Sequence, residues 1–165
     1  MTPVIGELGD RLSIYLNDHL AGSTVGLDLA RRTASENEGN SYGRVLAEVA
    51  EEIAEDREAL IDVMDRLSVG HDRVKVVGAW AAEKLGRLKL NGSLVSYSPL
   101  SRLEEIEGIS LGVEGKLSLW QSLKLTHGDD PRLRSVDLDA LIARARSQRR
   151  RLERQRRKAA KEALS

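Results

Sequence analysis

YGRVLAEVAEEIAEDREALIDVMDRL, residues 42–67, decides the fold of this chain. Tyr42, Leu46, Val49, Ile53, Asp56, Leu60, Val63 and Leu67 recur at alternating steps of four and three. That spacing is the seam of a long helix packed on other helices. Asp56 breaks the pattern, because a carboxylate stands where the seam asks for hydrocarbon. Burying it is costly unless it is paired, metal-bound or protonated. The segment therefore predicts both an architecture and one point of unusual chemistry.

Working outward, the same periodicity predicts a helix over 4–32, with Leu8, Leu12, Tyr15 or Leu16, His19, Ser23, Leu27 and Ala30 inward. The seam helix runs over 41–68, with Gly70 as its left-handed cap. A third helix is expected over 72–90, with Val74, Val77, Ala81, Leu85 and Leu88 inward, stopped by Asn91-Gly92. Ser98-Pro99 opens a fourth, to about Thr126, along Leu103, Ile106, Ser110, Val113, Leu117 and Trp120. A fifth starts near Ser135 or Asp137, with Leu138, Leu141, Ile142, Ala145 and Leu152 inward. No segment reads as a strand. The expectation is an all-α protein: an antiparallel up-down four-helix bundle over residues 1–128, and a basic C-terminal helix over 129–165. Beyond Arg146 the apolar positions thin, so that part of the helix is expected to protrude or fray.

The 165 residues carry 26 Lys plus Arg and 26 Asp plus Glu. The balance hides a split. Residues 144–165 hold ten of the cations, Arg144, Arg146, Arg149, Arg150, Arg151, Arg154, Arg156, Arg157, Lys158 and Lys161, against Glu153 and Glu162. The tail is +8 and the remaining body −8, a division that points to an interaction segment. Three partners fit: a neighbouring copy whose acidic body receives the tail, giving a homo-oligomer; nucleic acid or another acidic partner; or solvent alone. No aromatic residue is interleaved for base stacking, and no helix-turn-helix or zinc-finger pattern accompanies the tail. There is no cysteine, which excludes disulfides and thiol chemistry and fits a cytoplasmic protein. No signal peptide is read at the N-terminus, and no apolar run is long enough for a membrane span.

Segments Ala82-Glu-Lys-Leu-Gly-Arg-Leu-Lys-Leu-Asn-Gly92, Ser98-Pro-Leu-Ser-Arg-Leu-Glu-Glu-Ile-Glu-Gly108 and Gly112-Val-Glu-Gly-Lys-Leu-Ser-Leu-Trp120 resemble an uncharacterised bacterial family of small helical-bundle proteins, which brings no activity with it. More loosely, residues 4–126 resemble the ferritin-like bundles in helix number and length. Those join their second and third helices by a long crossover, whereas Ser68 to Asp72 reads as a tight turn. Their di-metal centres use Glu-x-x-His pairs, and this chain has none. The resemblance therefore carries over no metal ligand.

His19 and Asp56 are polar residues near the middle of neighbouring helices. One reading is an iron, manganese or zinc site completed by Glu52, Glu107 or Glu114. The other, which leads, is a hydrogen-bonded pair that fixes helix register, or an Asp56 paired with an arginine. Glu48, Glu51, Glu52, Glu55 and Glu58 crowd the seam helix and read as a solvated ridge, matched in part by Arg44 and Arg57. Around the 91–98 loop, Arg87, Asn91, Ser98 and Arg102 form either a pocket for an anion at a helix N-terminus or a loop anchor, with Ser98 as cap and Arg102 on Glu105. The helical glycines Gly22, Gly26, Gly78, Gly108, Gly112 and Gly115 suggest close helix approach, with a ligand cavity as the alternative. Templates for acyl transfer, phosphate loops and zinc hydrolases are absent, so no catalytic residue is expected. The leading expectation is a non-enzymatic binding or scaffold protein that self-associates. The alternatives are an atypical ferritin-like metalloprotein and a nucleic-acid-associated protein.

Overall fold

The computed structural model describes residues 5–71 and 96–165. Four α-helices lie in them: α1 (Ile5–Glu36), α2 (Gly43–Arg66), α3 (Pro99–His127) and α4 (Leu138–Leu164), with a 3-10 turn at Pro131–Leu133. No strand occurs among the described residues. At ~1.5 Å per residue the helices are about 36–48 Å long. The helix expected over 72–90, with Val74, Val77, Ala81, Leu85 and Leu88, lies outside the described residues.

All eight seam positions of residues 42–67 are buried, none more than 6 % exposed. The helix ends follow local chemistry. Ser98 caps α3, its hydroxyl accepting from the Ser101 amide at 3.1 Å, and Pro99 takes the first helical position. Asp137 caps α4 by accepting from the Ala140 amide at 2.9 Å. The left-handed residue that stops α2 is Ser68, φ 58°, rather than the expected Gly70. There the Val69 amide donates back to the Met64 carbonyl at 2.8 Å, closing the last turn.

Packing runs around a ring: α1 against α2 and α3, α4 against α3 and α2. Neighbours are antiparallel. The Asn17 amide reaches the Gly70 carbonyl (2.9 Å) and Arg57 reaches Thr24 (3.3 Å), setting α1 against α2. Across the ring, α2 and α3 run in the same direction, because Tyr42 lies beside Arg102 and Asp56 beside Lys116, the same sixty-residue offset at both levels. Asn37, wholly buried, fastens one end. Its side-chain amide donates to the Thr33 carbonyl and the Tyr97 hydroxyl, both at 2.8 Å, and its carbonyl accepts from Arg102.

The core falls into two apolar layers. One gathers Leu16, Leu20, Leu60, Met64, Trp120, Leu123 and Leu141. The other gathers Leu27, Leu46, Val49, Leu103, Ile106, Ile109 and Leu152. A polar layer separates them, and the site is built on it.

The basic C-terminal helix differs most from expectation. It does not leave the bundle beyond Arg146. Ala145, Gln148, Leu152 and Ala159 are all 0 % exposed. Their steps of three, four and seven continue the seam of Leu138 and Leu141, which keeps α4 on the ring to its end.

Candidate functional site

At the centre of the polar layer stands Asp56, 1 % exposed. Its position in the α2 seam forces it inward, and α3 and α4 meet its charge. Lys116 of α3 donates to Oδ2. Arg144 of α4 donates to Oδ1 through Nε at 2.7 Å and lies 2.6 Å from it through Nη2. Gln148, also buried, bridges: its Oε1 accepts from Lys116 at 2.6 Å, and its Nε2 donates to Glu52 at 3.0 Å and to Asp56 at 3.2 Å. Arg151 closes the layer on Glu52. Buried charge survives only when paired and hydrogen-bonded on every side, and here both oxygens of Asp56 are engaged. Burial pulls the Lys116 ammonium below the usual lysine range, while Asp56 pushes it back up. With its oxygens held by three donors, the carboxylate has no free position for proton abstraction.

Beside this layer a cavity of about 410 Å³ opens between α1, α2 and α3. Asp56 and Lys116 bound one part of it, Trp120, Leu60, Ile109 and Val113 its apolar walls, and Asp18, His19 and Arg57 its polar edge. The indole of Trp120 is wholly buried, and its Nε1 has no partner among the described residues. Gly22, Gly26, Gly112 and Gly115 also line the space, and a Cβ placed on any of them meets nothing within 4 Å among the described residues. Close approach between the described helices therefore does not account for these four glycines. Gly108 fits that expectation, its Cβ position lying 3.2 Å from Leu29, and Gly78 lies outside the described residues.

His19 and Asp56 border the same cavity but do not pair; the Asp56 partners are Lys116, Arg144 and Gln148. His19 stacks edge-on to Tyr15 at 4.6 Å, and burial lowers its pKa, opposed by Asp18. Glu107 and Glu114 face outward, beside Arg156 (3.6 Å) and Arg149 (2.6 Å). The metal set proposed from sequence is thus dispersed. Among the described residues no group of three or more His, Asp or Glu side chains is placed to hold a metal ion.

The loop pocket resolves in part. Arg87 and Asn91 lie outside the described residues. Ser98 is the cap described above. Arg102 pairs with Glu162 at 3.0 Å and stacks over Tyr42 at 4.6 Å, not with Glu105. Glu105 instead accepts from Arg32 (3.0 Å) and Thr33 (3.1 Å), because α1 rather than its own helix turn supplies the nearer donors.

The ten tail cations divide in two. Arg144 binds Glu55 and Asp56, Arg149 binds Glu114, Arg151 binds Glu52 and Glu48, Arg156 binds Glu107 and Glu153, and Lys158 lies 3.9 Å from Glu162. The acidic ridge of α2 is thus partly a docking face for the chain's own last helix. Arg146, Arg150, Arg154, Arg157 and Lys161 have no acidic partner among the described residues and are exposed. Sequence reasoning missed Lys116, Gln148 and Asn37. Gln148 had a signal, its place in the 141-145-148-152 seam; an isolated lysine in a helix carries none.

No family model, curated protein or solved structure matches the chain. No described helix is long and apolar enough to cross a membrane.

Proposed function

We propose that this chain is a non-enzymatic binding protein that takes a small, mostly apolar molecule between α1, α2 and α3. The carrying observation is the 410 Å³ space, within the size range of ligand pockets. Four helical glycines line it where alanine would meet no atom of the described residues within 4 Å. Glycine costs a helix up to ~1 kcal/mol per site relative to alanine, so four such sites around one space favour the space itself as the reason. The ligand's apolar body lies on Trp120, Ile109 and Val113, and a polar end faces His19, Asp18 and Arg57. The test uses anilinonaphthalene sulfonate as probe. Saturable one-to-one binding, abolished in Gly26→Leu and Gly115→Leu proteins that unfold cooperatively, supports the reading. No saturable binding, or equal binding by the filled variants, overturns it.

A metalloprotein reading rests on His19 and Asp56 bordering one cavity. The charges oppose it: the cation beside Asp56 and Gln148 is the Lys116 ammonium. Elemental mass spectrometry on protein incubated with iron or manganese decides between them. Stoichiometric metal that is lost on Asp56→Asn supports a centre; its absence leaves the ionic layer as structure. Self-association through the tail keeps only the five outward cations, since the other five are neutralised within the chain.

A further inference from the structure

We infer that the outer face of α4 is a binding surface for the phosphate backbone of duplex nucleic acid. Arg146, Arg150, Arg154, Arg157 and Lys161 are spaced four, four, three and four residues apart. At ~100° per residue they fall within an arc of about 80°. The stripe they form is about 22 Å long at ~1.5 Å per residue. The helix is rigid there: α4 is anchored below by Gln148, Leu152 and Ala159, all fully buried. The five cations are therefore held outward in line, while the inner arginines Arg144 and Arg151 are consumed by Asp56 and Glu52, and the exposed Arg149 pairs with Glu114. Glu153 shares the outer face, but Arg156 grips it through Nε at 2.7 Å and Nη2 at 3.0 Å, which removes most of its field.

A straight row of arginines without interleaved aromatics suits regularly spaced charge and not stacked bases. A small anion in the open groove beside Arg146, Arg150 and Arg154 would also meet Glu107, Glu114 and Glu153, which line the same groove. An acidic protein would need carboxylates at matching intervals, whereas a duplex presents about one charge per 1.7 Å of its axis and satisfies the row at any register. A lipid surface would call for several large apolar residues beside the cations; the flanking positions on α4 include Ala143, Ser147 and Glu153, and the groove alongside adds one, the exposed Leu111 of α3. Binding is therefore sequence-independent, and its strength falls steeply with salt.

The test is fluorescence anisotropy with a labelled duplex of about 20 base pairs, longer than the stripe, against full-length protein across a salt series. Five neutralised phosphates predict a log–log slope near about −4.5. A variant with all five cations changed to Gln loses binding while its melting temperature stays the same, because these side chains hold no acidic partner among the described residues. Single changes, such as Arg150→Gln, each lower the slope by about 0.9. The inference fails if the wild type does not retard the duplex at low salt. It fails equally if the five-site variant binds as well, or if poly-glutamate or phosphatidylserine vesicles compete as tightly as the duplex does.

Discussion

Replacing Gly22, Gly26, Gly112 and Gly115 together by alanine should stabilise this protein. In each case the added methyl meets no atom of the described residues within 4 Å. The gain is then the helix-propensity difference, roughly 0.5–1 kcal/mol per site. Full additivity would give roughly 2–4 kcal/mol for the fourfold variant, an upper figure because the sites share one cavity. For a chain of this size that corresponds to a rise in melting temperature on the order of 5–15 °C. Gly43→Ala is the internal control: its Cβ would lie 2.3 Å from the Asn37 carbonyl oxygen, a backbone atom, so this change should destabilise. Calorimetric or circular-dichroism melting of the two variants reads both signs. The same four methyls narrow the cavity, so probe affinity should fall as stability rises. Four glycine replacements that destabilise would refute the reasoning, because they would show the positions to be filled.

Asp56→Asn should cost roughly 3–5 kcal/mol in urea unfolding, since it strands Lys116 and Arg144 in a buried layer. Lys116→Met should cost less, because Arg144 still holds the carboxylate. His19 should make stability pH-dependent. Its folded pKa lies below the usual 6.5, so the folded state resists protonation; its contribution is full above that value and is lost as pH falls through the lowered folded pKa. Melting curves of wild type and His19→Gln should diverge below about pH 6.5 and coincide above it. Truncation after Ala143 should abolish cooperative unfolding, since it deletes Ala145, Gln148, Leu152 and Ala159 from the core; a sharp, reversible transition in the truncated chain would contradict the packing of α4.

The all-helical architecture was legible because seam spacing is a local property: every heptad position from Tyr42 to Leu67 is buried as its periodicity requires. Asp56 was legible as an anomaly for the same reason. Its partners were not, because they come from residues 60 and 88 positions away. Short connections suggest that sequential helices meet, and that expectation brings His19 forward. In the ring, α3 and α4 supply the charge instead. Lys116 is hidden because lysine on a helix is ordinarily a solvated residue. The thinning of apolar positions among the arginines after Arg146 suggested detachment. The segment stays docked because Glu48, Glu52, Glu55, Asp56, Glu107 and Glu114 face it. Charge matching between segments far apart in the chain is a tertiary fact that periodicity does not encode.

The polar layer also sets an order on synthesis. The α1–α2 hairpin emerges first, with Asp56 and Glu52 still hydrated and nothing to neutralise them. Lys116 arrives about 60 residues later, and Gln148 and Arg144 later still. A nascent chain can therefore collapse its apolar ends early, but cannot close its middle until α4 has left the ribosome. Two carboxylates that resist burial until their partners exist hold the hairpin open to water, so that a chain cut short before its last helix remains recognisable as incomplete.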